Sequence, residues 1–134
     1  MRANARKIAF HLLFEKEYGK ETDPESLFAK ELLTQEKVFS EEDKAFIKQL
    51  IINVTDNKKE IKKIILSNLV GYTFNRIHRV DAVVLMIAVA EMFFIKETDK
   101  KIIINEAVNI SKIYGGEKST SFVNGVLANI VKEN

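Results

Sequence analysis

Lys118 and Phe122 stand one helical turn apart, just after the Gly115-Gly116 pair, where they could hold a phosphate and an unstacked base. A helix start leaves backbone N–H groups unpaired and carries partial positive charge, so an anion can settle there. A lysine and an aromatic ring beside it add a counter-charge and a stacking face. Ser119 reads as the N-cap of the last helix and Gly115 as the left-handed stop of the one before, with Ser121 crowded into the same junction. Val123, Val126, Leu127 and Ile130 recur at helical spacing and face a core. Asn124 is then left on the side nearest a bound nucleic acid, and Gly125 permits close helix packing. A plain corner between two helices explains the same residues, so this motif alone does not decide the function.

A second group of cations, Arg2, Arg6 and Lys7, opens the chain ahead of an apolar face and could reach phosphates. The competing reading is a solubilising terminus. Residues 57–63, NKKEIKK, also look basic, but their lysines alternate with Glu60 and Ile61 along a helix, as on a solvated face. Acid–base chemistry finds little support. His11 and His78 lie in separate elements with no carboxylate at a motif spacing. Asp81 and Glu91 share one helix, but at ten residues' separation they lie about 80° apart around it and about 15 Å apart along it, so they cannot act as a pair. Helix capping for Asp81 and an internal hydrogen bond for Glu91 are their structural readings. The chain has no Walker loop, dinucleotide fingerprint or HExxH motif, and no metal or cofactor site is expected.

Helical period dominates the elements that must position these residues. Ala5, Ile8, Ala9 and Leu12 form one face of a first helix ending at Tyr18-Gly19, with Phe10 and Phe14 on a neighbouring face. Asp23-Pro24 marks the start of a short second helix running to about Leu33. Ser40 followed by three acids starts a long third helix, whose apolar positions from Ile47 to Leu69 continue through a polar, bent middle at 53–60. Residues 71–78 read as a turn or irregular piece. An apolar helix over 80–95 and another over 101–114 follow, then the last over 119–132. The β-branched run at 101–104 lacks period-two alternation and is read as helix.

At 134 residues with 46% apolar content, the chain is long enough for one core and is expected to form a single domain over 1–134. It contains no cysteine, which fits a reducing cytoplasm and excludes a disulfide framework. With 21 basic and 19 acidic residues the net charge is only +2, so any nucleic-acid footprint must be a local patch. The N-terminal apolar run is interrupted by His11 and followed by Glu15-Lys16-Glu17, unlike a signal peptide, and 80–95 is too short and too charged to span a bilayer. No fixed-period repeat or low-complexity segment is present.

INEAV at 104–108, then Lys112, Tyr114 and Gly115, and above all FVNGVL at 122–127, resemble the C-terminal signature of the NusB family of transcription antitermination factors. Ala5-Arg6 in the first helix, Asn75-Arg76 before Val80-Asp81, and Ala88-Val89-Ala90-Glu91 follow in that family's order, so the resemblance covers most of the chain. Two positions depart from it. Asn4 occupies a place where a denser basic run is often found, and Met86 one where arginine is frequent. The resemblance implies an all-α NusB-like fold, two three-helix subunits packed in a single domain, with no enzymatic activity. It further implies binding of boxA single-stranded RNA together with the ribosomal protein NusE, in support of antiterminated transcription of ribosomal RNA operons by RNA polymerase with other Nus factors. The expected RNA contacts are Arg2, Arg6, Lys7, Lys118, Phe122 and Asn124. Phe14, Asp81 and Glu91 are expected at the NusE surface, where acids would complement a basic ribosomal protein. Two other classes stand beside this reading: a truncated N-terminal piece of an RNA cytosine methyltransferase, and a helical protein-binding adaptor without intrinsic RNA affinity.

Overall fold

The computed structural model describes residues 2–19 and 39–133, and the helix expected at 23–33 lies outside them. Helix α1 (Arg2–Tyr18) buries Ala5, Ile8, Ala9 and Leu12, and also Phe10 and Leu13. Helix α2 (Glu41–Asp56) starts as its sequence requires: the Ser40 hydroxyl accepts the Asp43 N–H at 3.1 Å, and three acids occupy the positive first turn. The long helix read from 41 to 69 is in fact two. At Asn57 the backbone leaves helical geometry (φ −114°, ψ 19°) and helix α3 (Lys58–Leu66) begins. Both the Asn57 side-chain amide, at 2.9 Å, and its backbone N–H, at 3.1 Å, donate to the Asn53 carbonyl. The short polar side chain thus offers the backbone a local alternative to continuing the helix.

The connection from 67 to 78 is irregular apart from a 3₁₀ turn (Phe74–Arg76), and among its residues only Ile77 is buried. Helix α4 (Arg79–Ala90) is buried at every residue from 81 to 90. The apolar helix expected to run evenly to 95 ends instead in a π turn (Glu91–Ile95), where the Lys96 N–H donates to the Glu91 carbonyl five residues back at 2.9 Å. This widened turn buries Glu91, Met92 and Ile95 together, and it closes with Lys96 in the left-handed region at φ 60°. Helix α5 (Lys100–Tyr114) is capped by the Asp99 carboxylate, which accepts the Lys101 N–H at 2.8 Å. Helix α6 (Glu117–Glu133) follows after Gly116.

The described residues form six α-helices and no strand, with three helices before the 67–78 connection and three after it. Helix α4 is the axis of the packing and touches α1, α2, α3, α5 and α6. Side chains from Ala5 to Ile130 merge into one hydrophobic cluster around it. Met86, noted above for its departure from arginine, is fully buried in that cluster and acts as packing. Arg6 lies against Glu91 and Tyr18 lies beside Arg79, so α1 runs antiparallel to α4. This antiparallel arrangement sets what can meet at each end of the molecule.

Candidate nucleic-acid interface

The corner between α5 and α6 is built on two glycines with different duties. Gly115 has φ −117°, so the expected left-handed stop is not there. Gly116 takes that conformation instead, at φ 88°. At Gly115 the constraint is steric: a Cβ would fall 2.6 Å from the Ser119 Cβ and 3.0 Å from the Ser111 carbonyl oxygen. Because the chain turns so tightly, α6 begins at Glu117, and Ser119 lies buried inside its first turn rather than capping it. The carbonyl of Gly116 receives the Thr120 N–H at 3.1 Å.

This corner faces the 67–78 connection across a cavity of about 530 Å³. Tyr72 and Phe122 line it as a tilted aromatic pair with ring centroids 6.2 Å apart and planes 39° apart, while Arg76, His78 and Lys118 supply cationic or protonatable groups on its wall. Phe122 is half-buried and packs on the core with part of its ring, as Lys118 reaches outward. Asp81 forms part of the floor at 5% exposure. Its Oδ1 has no hydrogen-bond partner among the described residues and lies 4.0 Å from Nδ1 of His78. Burial raises the Asp81 carboxyl above the usual aspartate range, and a hydrogen bond from the Ser119 side chain and the charge of His78 pull it partly back. An aromatic pair open to solvent, cations for phosphates and one buried acceptor make a site suited to an unpaired nucleotide.

The remaining expected contacts fall elsewhere, and several are corrected. Arg6 is 4% exposed, and its Nε and Nη2 donate to the two carboxylate oxygens of Glu91 at 2.7 and 2.5 Å. Glu106 stands 3.8 Å away as a second acid, and the Phe46 ring lies beneath the guanidinium at 5.2 Å. Arg6 therefore does not present its charge to RNA, and Glu91, fully buried, does not present its charge to a partner. Each neutralises the other because an unpaired charge at that depth is prohibitively costly. Arg2 sits over Phe46 at 4.3 Å and donates to Thr98 and Glu97, both at 3.3 Å, whereas Lys7 is half-exposed with no ion pair among the described residues. Asn124 is exposed, but two residues from Phe122 put it about 200° around the helix, away from the cavity. Gly125 meets nothing within 4 Å, so it does not serve close packing.

Phe14 is half-buried in a row of rings, with Phe10 at 5.7 Å and Tyr18 at 5.2 Å. Arg2 and Arg6 are not brought to the corner: Asp81 and Glu91 mark the two positions on α4, about 15 Å apart along the axis. Lys7, by contrast, lies one turn before His11, whose Nε2 is 2.9 Å from the Tyr114 hydroxyl beside the corner. Sequence reasoning missed Tyr72 and Arg76 as site residues. The available signal was an aromatic and an arginine in a stretch with no apolar period, where nothing calls for their burial.

A model of the NusB family matches residues 3–132. The transcription antitermination protein NusB of Bacillus mycoides (strain KBAB4) is 37% identical over 129 residues, covering 96% of this chain and 95% of that protein. Its counterpart in Clostridium novyi (strain NT) is 33% identical and covers 98% of each. Among solved structures, T. maritima NusB superposes with a TM-score of 0.89 at 31% identity, over 100% of this chain and 92% of that one. A crystal structure described as antitermination factors NusB and NusE in complex with dsRNA gives a TM-score of 0.85 at 30% identity, over 99% and 97%.

Proposed function

The chain belongs to the NusB family, and from that membership we propose that it is a transcription antitermination factor binding boxA RNA together with the ribosomal protein NusE. It acts as one RNA-binding domain in the cytoplasm and helps RNA polymerase, with other Nus factors, to transcribe ribosomal RNA operons past terminators. It works by binding rather than by catalysis, a reading supported by its membership in a family of transcription antitermination proteins. Among the described residues, no helix is long and apolar enough to cross a membrane.

The observation that carries this reading is the Tyr72–Phe122 cavity with Arg76 and Lys118 on its wall. Stacking faces favour unpaired bases, because a base in a duplex already has both faces covered. The RNA at this site is therefore single-stranded, although the related complex is described with double-stranded RNA. Arg2 adds a phosphate contact at the far end of α4 after release from Glu97, and Lys7 adds one between it and the corner. Phe14 is the residue we place at the NusE surface; Asp81, buried on the cavity floor, reaches a partner only through the cavity mouth.

The test is a titration of single-stranded boxA RNA, with its duplex as competitor, against the protein and its Phe122→Ala and Tyr72→Ala variants, each with and without NusE. Losing a stacked ring typically costs about 1 to 3 kcal/mol per base, so each variant should bind roughly 5-fold to 150-fold more weakly at unchanged NusE affinity. A duplex that competes as well as the single strand, or variants that bind RNA normally, would refute the stacking site. A helical adaptor without RNA affinity would bind NusE and no RNA at all.

A further inference from the structure

Helix α3 carries four lysines against one glutamate, a larger surplus than the net +2 of the whole chain. Its sequence, KKEIKKIIL, buries Ile61 and Ile65 on one side, so the helical period turns Lys59, Lys62 and Lys63 to the other. From sequence this face looked merely solvated. In the structure Lys59 and Lys63 are exposed, and neither has an ion pair among the described residues, whereas Lys58 is taken up by Glu17. The three lysines line a concave surface of about 810 Å³ where α2 meets α3, together with Asn57, Ser67 and two acids, Asp56 and Glu60.

Phe74 links this surface to the Tyr72–Phe122 cavity. The Lys62 ammonium lies 4.6 Å over the ring of Phe74, which opens the 3₁₀ turn whose Arg76 lines that cavity. Helix α3 also touches α6, the helix that carries Phe122. A strand leaving the cavity past Phe74 meets lysines next. We propose that the α3 lysine face is a phosphate track, binding the backbone of single-stranded RNA that extends beyond the nucleotides stacked against Tyr72 and Phe122. Flexible lysines suit this task, since they follow a backbone as point charges without reading sequence.

The proposal rests on the cavity being the RNA site, and the test separates the two. A short boxA RNA filling only the cavity and the same RNA extended at both ends are titrated over a range of salt. The proteins are the intact chain, Lys59→Ala/Lys63→Ala, and Lys59→Gln/Lys63→Gln, which keeps longer polar stems. Two lost contacts lower the salt slope on the extended RNA by about 1.4, at roughly 0.7 per single-strand phosphate, and weaken its binding about tenfold near 0.15 M salt. Binding of the short RNA stays unchanged. An unaltered slope on the extended RNA in both folded variants overturns the track and leaves α3 as a solvated face or an acidic partner's surface, with the cavity reading intact. Equal losses on both RNAs also overturn it, because the lysines then act only as a general field. If the intact chain binds neither RNA, the cavity reading fails and the track falls with it.

Discussion

Removing one member of a buried ion pair leaves its partner desolvated and alone, which typically costs about 3 to 5 kcal/mol. Arg6 and Glu91 are such a pair, two parallel hydrogen bonds deep against the Phe46 ring. Glu91→Gln and Arg6→Ala should therefore each destabilise the fold by that order in denaturant melts, while the folded fraction binds RNA normally. Arg6→Lys should not restore stability, because an ammonium cannot span both carboxylate oxygens. Weaker RNA binding by a fully stable Arg6 variant would return this residue to the RNA surface. At Asp81 the prediction concerns pH. Its carboxyl is raised in the folded state, chiefly by burial, so the proton binds the folded chain more tightly than the unfolded one. The stability this contributes is fully present below the ordinary aspartate range and is lost as pH rises through the raised value. Asp81→Asn has no proton to lose, so its melting temperature relative to the parent should climb from acid to neutral pH. A difference that is flat with pH would mean that Asp81 is better solvated than its surroundings imply.

The two glycines between α5 and α6 should fail differently when given a side chain. Gly116 has open space around it but a left-handed backbone, so Gly116→Ala carries only the conformational penalty of about 1 to 2 kcal/mol. Gly116→Asn should cost less, since asparagine tolerates that region. Gly115→Ala has no such backbone problem and meets Ser119 and Ser111 instead, an overpacking cost of about 1 to 3 kcal/mol. It should also distort the Asp81–Ser119 floor of the cavity and weaken RNA binding in proportion. Melts and RNA titrations on the three variants check this, and equal effects of asparagine and alanine at 116 would contradict the backbone account. Most helices were legible from sequence because burial on one face repeats with the helical period, and Ser40 and its acids fixed the start of α2. The polar bend at 53–60 was legible too, but not that it breaks the helix at Asn57, nor the π turn, nor the exchange of roles between Gly115 and Gly116. Each is decided by one or two hydrogen bonds or by a non-bonded approach, which the apolar pattern does not encode.

Across the whole molecule, what meets what is set by the antiparallel course of α1 along α4. Arg6 and Glu91 are 85 residues apart in sequence and in direct contact, while Arg2 and Lys118 read alike as phosphate cations yet lie toward opposite ends of α4. Residue type thus pointed to a cation and an aromatic at the last corner, which line one cavity there, but sequence separation carried no geometry. This is why Tyr72 was missed and Arg6 was overcounted. The separation of about 15 Å along α4 leads to a final prediction. If Arg2 and Lys7 contact RNA, they do so on a part of the strand away from the cavity, and Arg2 must first give up Glu97, Thr98 and the Phe46 face. Arg2→Ala/Lys7→Ala should then lower the salt slope by at most about 1.4 on an extended boxA RNA and leave a cavity-length RNA unaffected. Glu97→Gln, which loosens the hold on Arg2 without touching RNA, should strengthen binding of the extended RNA alone. Identical slopes for parent and double variant, with Glu97→Gln neutral, would remove the N-terminus from the interface and leave the corner and its neighbouring lysines as the whole of the basic footprint.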